Sequence, residues 1–252
     1  MKNKIGWCSM TFNPVWGCRN HCEYCYARRI AKRFWKKRYM DEFNYYLKKH
    51  PNWVWTGDQL SGLWKFEPTF LESQFDKKFP KKPQRIFVGS MSEIAHWEAN
   101  WVNKVIFKIY EYPQHTFQFL TKYPEIYCKW DFPKNCWLGI TITNSKDAYS
   151  EFRIAPENKD HIFFICIEPM LDYIPIDCID YANWVIIGAE TGNRRGKIIL
   201  KKEWIITMIR QLRDKNIPIY LKDSIIKAYP DLAFEYPNFH KFPGFYNKEE
   251  KR

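Results

Sequence analysis

The sequence predicts an α/β protein, a partial or near-complete (β/α) barrel of mostly parallel strands, and three observations carry that expectation. From residue 85 onward, short β-branched and aromatic runs alternate with helical or crossover segments, the pattern of parallel strands covered by helices on their outer face. Polar residues gather where those runs end: Ser90, Glu93, Thr121, Lys122, Thr141, Thr143, Glu168, Glu190, Lys222 and Asp223. Barrel enzymes place their sites at that end of their strands. Finally, Cys18, Cys22 and Cys25 crowd the run CRNHCEYC on a loop after a first strand, which would set them on the same rim.

Taken in order, MTFNPVWG (10–17) reads as a short strand entering the cysteine loop. A helix is expected from about Glu23 to Tyr39, with Ala27, Ile30, Ala31 and Phe34 on a packed face. Arg28, Arg29, Lys32, Arg33, Lys36 and Lys37 fill the other face, either as a solvated surface or as a phosphate track. Residues 40–84 break the rhythm with an aromatic- and turn-rich insertion. Its Trp53, Trp55, Trp64 and Phe66 would form a satellite hydrophobic cluster or stack on a planar substrate. Further strands are expected at 85–90, 116–122, 136–143, 161–169, 183–192 and 217–224, making seven with the first. Helices are expected at 101–112, inward through Val102, Val105, Ile106 and Ile109, and at 201–216, inward through Trp204, Ile205, Met208, Ile209 and Leu212. Weaker helical stretches follow residue 122 and lie near 145–153. The barrel then takes residues 1–224, and 225–252 form a C-terminal extension.

A hydrophobic fraction of 46% with 27% charged residues describes a globular chain with an ample core. No stretch approaches the ~18 uninterrupted apolar residues of a membrane span, and MKNKIGWCSM carries no apolar signal core. The expectation is a cytoplasmic protein with reduced thiols and no membrane partner. Cys8, Cys128, Cys136, Cys166 and Cys178 are scattered and read as ordinary small core residues. The formal charge of +12 invites a nucleic-acid partner. Against that, 28 lysines to 12 arginines is also what an AT-rich genome produces, and selection for phosphate forks would favour Arg.

Three thiolates at spacings of three and two residues can wrap one face of a small metal cluster, one ligand short of a closed site. On a four-iron cluster this leaves one iron open to an exogenous ligand. A zinc site closed by Cys8 or His21, in a non-catalytic nucleic-acid-binding protein, is the alternative from another class.

The CRNHCEYC run, with an aromatic before its last cysteine and a (β/α) pattern behind it, resembles the radical S-adenosylmethionine superfamily. More narrowly, the chain is similar to a phage- and prophage-associated three-cysteine family of unassigned function. FNPVWGC, CYARRIAKR, RIFVGSMSEIAH, FQFLTKYPE, WLGITITN, FICIEPMLD, WVIIGAETG and IPIYLKDS carry the likeness in order. The chain has Gly188-Ala189-Glu190-Thr191-Gly192 where that family often has a second glycine, and its spacing before the second cysteine is the usual superfamily one.

The resemblance implies a 4Fe-4S cluster on Cys18, Cys22 and Cys25 whose open iron chelates S-adenosylmethionine. A reductant such as a flavodoxin or ferredoxin would feed it, and cleavage would yield a 5′-deoxyadenosyl radical that takes hydrogen from substrate. Tyr24 counts among the cofactor-binding residues. Ser90, Ser92 and Glu93 follow the second strand, where the superfamily commonly binds the methionine amino group. Thr141, Thr143 and Asn144 would bond ribose hydroxyls, and Glu168 and Glu190 would bind cofactor or substrate. His96 is a candidate proton donor and Lys122 a partner for an acid or phosphate. Each also reads as a strand-end cap, salt-bridge partner or structural side chain. The substrate is a nucleic acid base or nucleotide on one reading, a peptide or small metabolite on another.

Overall fold

The structure is a computed structural model describing residues 5–52, 60–148, 160–236 and 240–243. Trp53, Trp55, the far end of the helix expected near 145–153, the side chain of Cys178 and most of the C-terminal extension lie outside those described residues. The chain runs β1 (Met10–Phe12), β2 (Val15–Trp16), α1 (Tyr26–Lys49), α2 (Gly62–Lys65), β3 (Thr69–Phe70) and α3 (Glu72–Phe75). It continues β4 (Arg85–Val88), α4 (Ala99–Tyr110), β5 (Thr116–Thr121), β6 (Cys136–Thr141), α5 (Ser145–Ala148) and β7 (Ile162–Ile167). Last come β8 (Trp184–Ile187), α6 (Lys202–Asp214), β9 (Ile219–Leu221), α7 (Asp223–Ala228) and α8 (Leu232–Glu235).

Seven strands make one parallel sheet in the order β1-β4-β5-β6-β7-β8-β9. The order never doubles back, so there is no switch point of the doubly wound kind. It is the strand order of a partial (β/α) barrel, the expected class. Buried β-branched and aromatic runs explain the strands: all four residues of β8 are buried, as are five of six in β7. Among the described residues no helix is long and apolar enough to cross a membrane.

The chain divides into two compact units, one mainly Cys8–Thr121, the other mainly Trp137–Arg252. In the first, α4 buries Val102, Val105, Ile106 and Ile109 as its pattern predicts. Phe79 seals this core edge-on to Phe12 and Phe117, with ring centroids 5.0 and 5.4 Å away. In the second, α6 buries Ile205, Met208, Ile209 and Leu212, while Trp204 is only half-buried. Trp184 anchors the second core, with Phe164, Trp137 and Tyr220 around it at 5.6, 5.7 and 6.2 Å. A Cβ at Gly139 would lie 2.3 Å from the Phe164 ring, so glycine lets that ring lie against β6.

Two expectations about α1 are corrected. The helix does not end near Tyr39 but runs to Lys49, because no Gly or Pro interrupts it until Pro51. Nor is its apolar stripe wholly inward. Ala27 and Ala31 are buried, but Ile30 is 40% and Phe34 45% exposed. The surface facing α1 comes close enough to admit alanine and is filled by its own large side chains. Trp16, Leu60, Leu63, Phe66, Leu71 and Met91 form this cluster with the two alanines, and Cys18, Cys25, Tyr39 and Phe43 pack on it. From its described part the insertion thus gives Leu60, Leu63, Phe66 and Leu71 to a shared hydrophobic cluster. Trp64 stays 47% exposed, its ring 6.0 Å from that of Trp35. Sequence patterning also gave no sign of the two-residue antiparallel ladder between β2 and β3.

Candidate metal centre

The cysteine loop lies in the first unit, and its backbone is tied on both sides. Gly17 has φ +110°, and a Cβ there would meet the Glu67 carbonyl oxygen at 2.0 Å. Only glycine suits that position. Gly17 N–H donates to the Met91 carbonyl at 3.0 Å, and Cys18 N–H donates to the Phe66 carbonyl at 2.8 Å. One edge of the loop therefore hangs on the insertion and the other on the segment after β4. At its far end Cys25 caps α1, its sulfur accepting the Arg28 N–H at 3.3 Å. The Asn20 N–H reaches the Cys18 sulfur at 3.4 Å. Donors of this kind stabilise thiolate ligands and tune the metal they hold.

All three cysteines are half-buried free thiols. Burial pushes the Cys18 thiol up to about 11, Asn20 N–H opposes this, and negative charge at Glu93, Cys25 and Cys22 adds to it. Cys22, Cys25 and Glu93 thus lie near enough to Cys18 for their charge to act on its thiol. Among the described residues no three His, Cys, Asp or Glu side chains gather tightly enough for one metal ion. A zinc ion needs its ligands in one tetrahedron, whereas a four-iron cluster takes thiolates that stand apart across its width. Cys8 is buried and His21 exposed at φ 50°.

The surrounding side chains hold this loop. Arg28, assigned by its pattern to the outward basic face, turns inward instead. It donates from Nη2 to the Cys18 carbonyl at 2.9 Å, and its guanidinium lies 5.0 Å over the Phe66 ring. Arg19 pairs with Glu67 at 2.9 Å. Nδ1 of His96 accepts the Arg19 N–H at 3.2 Å, and burial, aided by the Arg19 charge, holds the imidazole pKa below its ordinary value. A neutral ring is what that acceptor role requires. The Tyr26 hydroxyl donates to the Ser90 carbonyl at 2.7 Å, Ser90 Oγ donates to Asn13, and Ser92 Oγ accepts from the Trp97 indole at 3.0 Å. Glu93 is buried, takes the Ala95 N–H at 3.3 Å, and accepts the Thr121 hydroxyl. Tyr24 is half-buried beside Cys25 in the chain.

In the second unit, Thr141 ends β6 half-buried. Thr143 donates its N–H and hydroxyl to Asp147 at 2.9 and 2.7 Å, while Asn144 Oδ1 accepts the N–H groups of Lys146 and Asp147. These two residues open α5. Burial would raise the Asp147 carboxyl, but the Thr143 bonds, with Lys122 and Asn144, hold it low. Glu168 is paired with Lys222, and the buried Cys166 thiol lies 3.9 Å from the same carboxylate. A Cβ at Gly188 would come within 3.1 Å of both Glu168 and Lys222, so the first glycine of the Gly-Ala-Glu-Thr-Gly run makes room for the pair. Glu190 is buried and takes Arg194 in a bidentate pair at 2.7 and 3.0 Å, plus the Ile198 N–H at 3.3 Å. Arg194 is the main influence holding its carboxyl low.

Arg28, Glu67, Asp147 and Arg194 were missed by sequence reasoning. The Asn144-Ser145-Lys146-Asp147 run carried a capping signal, and the four-residue spacing of Glu190 and Arg194 was visible. Nothing local marked Arg28 or Glu67.

Fold and site together define an α/β protein of partial-barrel class with a three-thiol loop in its first unit. A family model described as a protein of unknown function (DUF5131) matches residues 2–225, and the chain belongs to that family. No curated protein and no solved structure matches the chain.

Proposed function

We propose that this protein is a radical S-adenosylmethionine enzyme, with a 4Fe-4S cluster on Cys18, Cys22 and Cys25 and a reductant of the flavodoxin or ferredoxin class. The observation that carries the reading is the set of three half-buried thiols on a loop tied by backbone hydrogen bonds, with buried Glu93 from the segment after β4 close enough for its charge to act on Cys18. The residues fit the group: the donors are soft cysteine sulfurs, N–H groups point at two of them, and no fourth cysteine completes the loop. When bound, cluster and cofactor would supply one-electron cleavage of a sulfonium and a carbon radical able to take hydrogen from a substrate.

The chain's own residues bind and orient. Gly17, Phe66 and Arg28 fix the loop backbone. Glu93, a buried carboxylate near Cys18, takes the ammonium of the cofactor. His96, as a neutral acceptor on Arg19 N–H, positions the loop rather than delivering a proton. In the second unit the Glu168–Lys222 pair offers both charges to a polar ligand, while Glu190 is engaged by Arg194.

Anaerobic purification tests the reading. Expected are about four irons and acid-labile sulfide per chain, lost on replacing any one of Cys18, Cys22 or Cys25 by Ala and kept in Cys128→Ala. The reduced protein should convert S-adenosylmethionine to 5′-deoxyadenosine. Glu93→Gln should weaken cofactor binding by about 1.5–3 kcal/mol, roughly ten- to a hundredfold. Stoichiometric zinc without sulfide would overturn the assignment.

A further inference from the structure

The corrected orientation of α1 leaves two rows of side chains on its exposed side. Tyr26, Ile30 and Phe34 follow one another at four-residue steps, each 40–45% exposed. Arg29, Arg33 and Lys37 repeat at the same steps in an adjacent row, all exposed. A four-residue step rises about 6 Å, so each row advances in register with the other along roughly 12 Å of helix. The Arg33 guanidinium lies 5.2 Å over the Phe34 ring, joining the rows, and the Tyr26 hydroxyl is tied to Ser90, fixing its ring. From Tyr26 to Lys37 there is no acid, and the exposed Lys37–Asp41 pair at 3.0 Å is an ion pair on this row that a phosphate would replace.

We propose that this face of α1 binds single-stranded nucleic acid, with phosphates along Arg29, Arg33 and Lys37 and bases against Tyr26, Ile30 and Phe34. A single strand carries a row of charge beside a row of flat apolar faces, and proteins that bind it without sequence preference match both with cations and aromatic platforms. A protein partner would be met by an apolar core with charge displaced to its rim. Here cation and apolar residue alternate at every turn. The row begins at the residue after Cys25, so a strand seated on it starts beside the candidate cluster. That consequence for substrate class rests on the function proposed above, whereas the binding itself does not.

The test is fluorescence anisotropy of labelled single-stranded DNA and, in a second arm, RNA of the same mixed sequence, against the full chain over a salt series. With about 0.7 of a unit of log-log slope per phosphate on single strands, Arg29→Gln, Arg33→Gln and Lys37→Gln together should flatten the slope by about two. Phe34→Ala should weaken binding about five- to a hundredfold, and Phe34→Trp should restore it, since stacking rather than shape is at stake. Exposed cations elsewhere, changed as Arg210→Gln with Lys227→Gln, should leave affinity unchanged. The two arms decide which nucleic acid is preferred. Identical slopes in parent and triple variant, no binding at low salt, or capture at this face of an acidic protein but no oligonucleotide would overturn the proposal. Iron content of the same preparations separates the two readings. Oligonucleotide binding without iron would sink the cluster and keep the surface; iron without binding would do the reverse.

Discussion

Helices α1 and α6 obey opposite logics. In α6 the buried positions are Ile205, Met208, Ile209 and Leu212, and the charges Glu203 and Asp214 face out. In α1 the buried positions are two alanines and a glutamate, Glu42, while Ile30, Phe34, Met40 and Leu47 are exposed. A helix docked through a continuous apolar stripe, such as α6, needs that stripe inward. Helix α1 is held otherwise, by the Cys25 cap, by alanines against a filled cluster, and by Glu42, which accepts the N–H and hydroxyl of Ser73. Its outward apolar residues stay 40–50% exposed, which is why the proposed nucleic-acid face runs through Ile30 and Phe34.

The largest expected effect breaks the comparison directly. Leu212→Ala in α6 removes a fully buried side chain and should destabilise by about 2–5 kcal/mol. Ile30→Ala in α1 should change stability by no more than about 0.5 kcal/mol, since it removes an exposed side chain and adds a better helix former. Urea unfolding midpoints at constant slope report both. A comparable loss in Ile30→Ala would mean that this face of α1 is covered after all.

The same contrast shows what was legible. Strands of the sheet were visible because buried parallel strands are continuous apolar runs, and the cysteine loop because its spacing has few other uses. α4 and α6 were visible because their apolar period coincides with their buried face. The phase of α1 was not. All four of Ala27, Ile30, Ala31 and Phe34 were expected inward, but only the two alanines are buried. The partner surface chose the small residues, and that surface comes from Leu60, Leu63 and Phe66, thirty to forty positions along an insertion without period. Arg28 and Glu42 face inward on bonds to Cys18 and Ser73, and a charge satisfied by a tertiary partner leaves no local mark. At the candidate site the three cysteines were legible, while the groups that hold their loop, Gly17, Phe66 and Arg28, emerged only with the fold.

A second experiment sharpens the comparison at the buried acid. Glu42→Ala leaves the Ser73 N–H without its carboxylate, and an unsatisfied buried donor costs about 1–3 kcal/mol. The exposed Glu203 of α6, changed the same way, should stay within about 0.5 kcal/mol. Equal, small effects at both positions would reduce Glu42 to an incidental contact.

The smallest effect is in the pH dependence. Burial is the main influence on Glu42 and raises its carboxyl pKa; Ser73 pulls it down, and the nearby Glu72 charge adds to the rise. A carboxyl with a higher pKa folded than unfolded binds more protons in the folded state, so stability falls as pH rises between the two values. Its contribution is intact below the ordinary carboxylate pKa and is gone above the raised folded one. Glu42→Gln keeps the shape and an acceptor oxygen for Ser73 but cannot ionise. Parent and variant should converge at and below the ordinary carboxylate pKa of about 4, and the parent should lose stability relative to the variant as pH rises from there. Helix α6 buries no acid, so Glu203→Gln there should give a curve parallel to the parent's. Parallel curves for Glu42→Gln as well would show that Glu42 titrates alike in both states, and that α1 holds its inward carboxylate without a proton's help.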